Sequence, residues 1–218
     1  MREFLFECAG CKASGFLTVE ASPGGFLACP DCGGPPRRLG VANWSDWIQK
    51  QADEKQEAVA SGRLGTRKQD YGRSDRDIDV IGTGAELAAC LAFCPDRLVD
   101  FKLFQGPNRG RDFPREWTGL QKPIEVKHTK WRTDTTGYLL VRPPRMTPGK
   151  MRQEYIDNSF YVLLTGGSNW IYQFEGWADR QRLIDHGQLN PVPKRERQRE
   201  CWGIHWSKLL PLPIREMT

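Results

Sequence analysis

"RGRDFPREWTGLQKPIEVKHTK", residues 109–130, sets an aspartate, a glutamate and a lysine around a run that otherwise reads as a core strand. Successive strand side chains point to opposite faces. Glu125 and Lys127 therefore project together, while Val126 turns to the other side with Ile124 and His128. Twelve residues separate Asp112 from Glu125, and the intervening "FPREWTGLQKP" holds the turn formers for a loop or hairpin. A connection that doubles back brings the Asp112 carboxylate to Glu125. Two carboxylates at one point do not both ionise comfortably without a cation. A hard divalent ion resolves that repulsion with oxygen ligands and retained waters. Lys127 beside it can hold a phosphate oxygen or orient a water acidified by the ion. The plain alternative is a Glu125–Lys127 ion pair on a solvated sheet face, worth under about 1 kcal/mol. Asp100 in "LVDFKLF" competes with Asp112 for the metal role; Asp112 is preferred because it follows a Gly- and Arg-rich loop.

Outward from this stretch, the apolar pattern predicts a helix over 83–94 and strands over 97–104, 123–130, 137–142, 160–166 and 171–177. A short helix over 178–187 closes on Gly187. Helix, several strands, then helix suggests an α/β sandwich around a mixed sheet. Residues 43–61 read as a further helix, capped by Asn43 or Ser45, with Trp44, Trp47 and Ile48 as its apolar stripe. Residues 62–80 are rich in Gly, Arg and Asp and read as a loop.

An aspartate, a gap and then Glu-x-Lys on an apolar strand, with a helical glutamate upstream, resembles the PD-(D/E)XK nuclease superfamily, the restriction-endonuclease-like fold. The resemblance covers roughly residues 80–213 and rests on Glu86 in "GTGAELAACLAF", Asp112 in "GRDFP" and "IEVK" at 124–127. It implies a mixed β-sheet flanked by helices, with Asp112, Glu125 and the backbone carbonyl of Val126 holding magnesium or manganese. It also implies that Lys127 positions or activates the water, and that Glu86 completes the site from the first core helix. Arg111, not proline, precedes Asp112. The implied reaction is hydrolysis of phosphodiester bonds in nucleic acid, DNA by the resemblance.

The N-terminus carries a second signal. Cys8 and Cys11, then Cys29 and Cys32, form two C-x2-C pairs with seventeen residues between them. Each pair lets the chain turn both sulfurs onto one ion, and the spacing reads as a tetrahedral zinc site rather than two disulfides or four free thiols. Between them "KASGFLTVEASPGGFLA" reads as a hairpin with "SPGG" as its turn. The segment resembles a zinc ribbon, whose metal substitutes for a core too small to hold it. The ribbon is compatible with gripping nucleic acid, binding a protein partner, or bracing its neighbour.

The 218 residues carry a net charge of +5, with basic clusters at 62–76, 108–115 and 193–199. This mild bias does not by itself identify a nucleic-acid binder. No stretch approaches the roughly 18 apolar residues of a membrane span, and the N-terminus lacks a signal-peptide plan. A cytoplasmic or nucleoid-associated setting is expected, without secretion. Thr129, Lys130, Arg132 and His128 either contact phosphates or simply end a strand. Trp117 and Trp131 either stack on bases or pack. Cys90 and Cys94, at helical spacing, read as a buried pair; with Cys201 they lack the fourth ligand of an iron–sulfur cluster. His186 and His205 read as satisfied groups rather than ligands.

The expected organisation is a zinc ribbon over 1–42, a helical linker and basic loop over 43–79, and a nuclease-like domain over 80–218. A homodimer is compatible with double-strand cleavage. The competing classes are a non-catalytic nucleic-acid-binding or adaptor protein that keeps the fold, and a zinc-ribbon interaction protein whose sheet only scaffolds.

Overall fold

A computed structural model describes residues 3–18, 26–61, 75–98, 112–129, 137–141, 156–191 and 201–214. The fold is mixed α/β, with a mixed sheet flanked by helices. Two compact units divide the chain: residues 1–108 with 166–173, and residues 109–165 with 174–218.

In the first unit β1 (Glu3–Cys8) pairs antiparallel with both β2 (Ser14–Thr18) and β3 (Pro36–Gly40). β3 then pairs with Ile171–Gln173, the start of β7 (Ile171–Ala178), whose remainder belongs to the second unit. Phe4, Phe6, Leu39 and Tyr172 are buried, as are Ile48 and Ala52 of α1 (Ser45–Ala60) and Ala85, Ala88 and Ala89 of α2 (Asp75–Phe93). Gly84 lies directly against the Tyr172 ring, where a Cβ would collide with it, and the Tyr172 hydroxyl donates to the Ile81 carbonyl at 3.1 Å. Between α1 and α2 the Asp79 carboxylate is buried but compensated: Lys55 lies 3.4 Å away and the Gln56 amide donates to it. Such compensation is what a buried charge requires.

Four sequence expectations change here. The helix read over 83–94 begins eight residues earlier, inside the stretch taken for a loop, because Lys55 and Gln56 of the neighbouring helix satisfy Asp79. Arg97 and Leu98, assigned to a strand, instead belong to a tight 3-10 turn at Pro95–Arg97 and its cap; the rest of that stretch, with Asp100, lies outside the described residues. Ser14–Thr18, expected in a hairpin between the cysteine pairs, pairs back on β1 through a turn between Cys8 and Ser14, with Lys12 in the left-handed region (φ 60°); the expected "SPGG" turn lies outside the described residues. Asn43 donates its amide to the Glu3 carbonyl at 2.8 Å, and a 3-10 turn at Ala42–Trp44 leads into α1.

In the second unit β4 (Ile124–Thr129) runs parallel to β6 (Phe160–Gly166) in unbroken register, with Glu125 beside Tyr161 and Lys127 beside Leu163. A separate antiparallel sheet joins β5 (Tyr138–Val141), β9 (Trp202–His205) and β8 (Gln188–Leu189). Its Leu139, Val141 and Ile204 form one core with Tyr161 and Leu163 of β6 and Leu183 of α4 (Arg180–His186). Asp179 caps α4 by accepting the Arg182 amide at 2.8 Å. The expected strands over 123–130, 137–142, 160–166 and 171–177 and the helix over 178–187 are present to within a few residues. Among the described residues, no helix is long and apolar enough to cross a membrane.

Candidate metal and acid sites

The four cysteines converge. Their sulfurs all lie within 4.8 Å of one another, with Cys8 to Cys32 at 3.5 Å and Cys11 to Cys29 at 3.6 Å. A tetrahedral zinc with bonds of about 2.3 Å sets its sulfurs about 3.8 Å apart, so the cluster has the size such an ion needs. The backbone shapes it. Cys8 donates its amide to the Ala13 carbonyl, Cys29 donates to Gly34 and Gly33 donates to Cys29, all at 2.8 Å. A Cβ on Gly34 would stand 3.0 Å from the Cys8 sulfur and 3.1 Å from that of Cys32, so glycine leaves room for the thiolates. Burial pushes the Cys8 thiol up, but amide hydrogen bonds from Cys11 and Gly10 and the Cys32 thiol outweigh it and draw Cys8 down to about 7. That favours the thiolate form a metal requires at Cys8; at Cys11 the Ala13 backbone hydrogen bond draws the thiol down, but Cys32, burial and Cys29 outweigh it and push it up to about 12. The soft, four-sulfur donor set fits zinc. Among the described residues this is the only group of three or more His, Cys, Asp or Glu whose ligand atoms come together in this way.

The second constellation surrounds β4. Phe113 makes an antiparallel bridge to Ile124, donating at 3.0 Å and accepting at 2.9 Å. The chain then turns through α3 (Arg115–Thr118) and Gly119, whose φ of 69° closes that turn with its amide on the Arg115 carbonyl. The "FPREWTGLQKP" connection thus folds back. Asp112 lands against the outer edge of β4, where its Oδ2 accepts the Val126 amide at 2.6 Å. Ile124 and Val126 turn their peptide groups to this edge, so the Val126 carbonyl shares it. Glu125 and Lys127 lie on one face, as their spacing predicts, and the Lys127 ammonium donates to Glu125 Oε1.

Glu125 is as buried as Val126, both being 9% exposed. It is therefore not on the solvated face that the plain ion-pair alternative requires. Burial pushes its carboxyl up from an ordinary 4.5 to about 6; Lys127 opposes this, while Asp112 and Asp157 add to it. Burial, then Glu125 and Asp157, also push the Tyr161 hydroxyl well above its usual value. Tyr161 donates to the Asp157 carbonyl at 3.0 Å, and Arg180 donates to the adjacent Ile156 carbonyl at 2.9 Å. Asp157 thus joins the electrostatic environment of Glu125. Nothing local to Asp157 signals this, since it follows only from the parallel register that sets Tyr161 beside Glu125.

Of the other candidates, Glu86 is half-buried on α2 in the first unit. Cys90 and Cys94 are buried with sulfurs 3.8 Å apart, and Cys201 is buried. His205 Nδ1 pairs with the Ser207 hydroxyl at 2.8 Å. Lys130, Trp131 and Arg132 lie outside the described residues.

The raised Glu125 carboxyl carries a pH prediction. A folded-state value above the unfolded one means that ionisation opposes folding. The wild type should therefore lose stability as pH rises from about 4.5 to about 6, by on the order of 2 kcal/mol. Glu125→Gln should flatten that interval. Urea midpoints for both proteins across pH 4–7, without divalent ions, measure this; identical slopes would show that Glu125 titrates normally. Comparison with family models, curated proteins and solved structures gives no match.

Proposed function

We propose that the chain is a metal-dependent nuclease that hydrolyses phosphodiester bonds in nucleic acid, with DNA the favoured substrate by the PD-(D/E)XK resemblance. The observation that carries this reading is the return of Asp112 to β4, which gathers Asp112, Glu125, the Val126 carbonyl and Lys127 around one short strand segment. These are hard oxygen donors with an adjacent cation, the chemistry that suits magnesium or manganese. When bound, such an ion supplies Lewis acidity toward a phosphodiester and makes a water a better nucleophile. The chain's own part is to hold the ion through Asp112 and Glu125, and to present the Lys127 ammonium to a phosphate oxygen or to the attacking water. The cysteine cluster takes zinc structurally.

A second reading has its own support. Asp112 is engaged by a backbone amide and Glu125 by Lys127, so both carboxylates already have partners within the protein. A non-catalytic nucleic-acid-binding or adaptor protein needs nothing more. Cleavage of labelled DNA and RNA by wild type and Lys127→Ala, with and without magnesium, separates the two. The nuclease reading expects magnesium-dependent cleavage that falls by about 10²–10⁴-fold in the variant, the usual scale for a group assisting proton transfer. Cleavage that is indifferent to Lys127 or to divalent ions would sink it.

A further inference from the structure

Two of the four clustered cysteines reach solvent. Cys11 and Cys32 are exposed, whereas Cys8 and Cys29 are buried. Each C-x2-C pair therefore carries one exposed and one buried sulfur. The contacts of 3.5 Å between Cys8 and Cys32 and of 3.6 Å between Cys11 and Cys29 both run from one pair to the other. Each of them joins an exposed sulfur to a buried one. The Gly10 amide donates to the Cys8 sulfur at 3.2 Å. A Cβ on Gly10 would stand 3.4 Å from the Cys32 sulfur, and one on Gly34 would crowd both Cys8 and Cys32, so two glycines leave that contact open. Metal ligation deprotonates a thiol outright, and an exposed thiolate is the form that an oxidant reaches.

We propose that Cys11 and Cys32 are oxidation sites, at which a hydroperoxide converts the cluster into two crosswise disulfides, Cys8 to Cys32 and Cys11 to Cys29, that take over the structural task of the ion. The proposal rests on the zinc reading of the cluster and is independent of the chemistry around β4. The Cys11 thiolate attacks the peroxide, forming an S–O bond as the O–O bond breaks and hydroxide leaves. Cys29 then attacks the Cys11 sulfur; the S–S bond forms as the S–O bond breaks, and a second hydroxide leaves. Two protons from solvent turn both into water. The two sulfurs together lose two electrons, which the peroxide gains. Cys32 and Cys8 repeat the sequence with a second peroxide. Disulfide sulfurs are no longer anionic donors, so the ion passes to solvent. The pairing decides what survives. Disulfides within each C-x2-C pair close short local loops and leave the two pairs unconnected. The crosswise bonds join residues 24 and 18 positions apart and tie the end of β1 to the segment leading into β3. They restrict the unfolded chain across the same span that the ion bridges, so the oxidised, zinc-free unit stays folded. Cys90, Cys94 and Cys201 are buried and stay reduced.

Hydrogen peroxide titrated into the full, zinc-loaded chain tests this. Metal analysis first establishes the zinc content, and a chromogenic chelator then follows zinc release. Fragmentation of non-reduced peptides maps the disulfides, and hydrogen exchange reads the fold. The zinc should be released completely, with Cys8–Cys32 and Cys11–Cys29 as the disulfides formed. Protection in β1, β3 and α2 should persist, and dithiothreitol with added zinc should restore the starting state. A chain that holds no stoichiometric zinc before peroxide fails the zinc reading, and the proposal with it. A loaded chain that keeps its zinc in excess peroxide, pairs its cysteines in any other way, or loses protection as the disulfides form overturns the proposal alone.

Discussion

Cys8→Ser should abolish stoichiometric zinc and unfold the first unit. Cys8 ends β1, the strand that pairs with both β2 and β3, so the cysteine cluster sits where three strands depend on one another. The second cysteine arm is tied further in: Leu27 donates its amide to the Ala92 carbonyl at 2.9 Å, and the Phe26 ring meets Phe93 edge-on at 6.0 Å. A zinc ion held by the four cysteines would therefore fix the arm that caps the C-terminal end of α2. Structural zinc contributes about 10–16 kcal/mol of apparent binding energy in small modules, against a total stability of about 5–15 kcal/mol for a typical domain. Losing a ligand thus removes more than the unit can spare. Hydrogen exchange with zinc quantitation reads the result: protection in β1, β3 and α2 should collapse, while β5 and β9 keep theirs. A variant that loses its zinc but keeps protection in α2 would show that the cluster is an appendage. The ribbon's role as a brace would then be wrong.

What could be read from sequence was local in origin. Alternation placed Glu125 and Lys127 on one face, and the paired C-x2-C spacing located the four cysteines that cluster, because both signals are complete within a few residues. The failures share a different cause. Asp75–Val80 looked like a loop because three aspartates and an arginine in six residues are unfavourable to a helix, and only Lys55, Gln56 and Tyr172, far away in sequence, reverse that. β3, with two arginines in five residues, lacks strand patterning; Arg38 is accommodated by Glu7 and Gln173 on the strands that flank it. The burial of Glu125 and the approach of Asp157 were hidden for the same reason, since the register of β4 with β6 and the core beside Tyr161 are long-range facts. The return of Asp112 lies between these cases. Its turn residues are legible, but the bridge from Phe113 to Ile124 that sets its landing point is not.

That return makes Asp112 the sharpest test of the proposed chemistry, because its structural and catalytic roles respond differently to substitution. Its carboxylate accepts the amide of Val126, a residue only 9% exposed. Asparagine keeps an acceptor of the same shape, so Asp112→Asn should fold with little loss of stability. Alanine leaves the amide without its partner, and a hydrogen bond to a charged group contributes about 1.5–3 kcal/mol, so Asp112→Ala should lower the melting temperature by several degrees. Cleavage should follow a different pattern. A neutral amide is a poor ligand for a hard divalent ion, so both variants should lose activity by on the order of 10²-fold or more, comparable to losing other essential groups of such a site. Direct manganese binding, followed by electron paramagnetic resonance, should weaken in both variants irrespective of turnover. If Asp112→Asn cleaves and binds manganese like the wild type while Asp112→Ala is merely unstable, the carboxylate is an edge cap for β4. The gathered acids would then describe an adaptor's strand rather than a nuclease's.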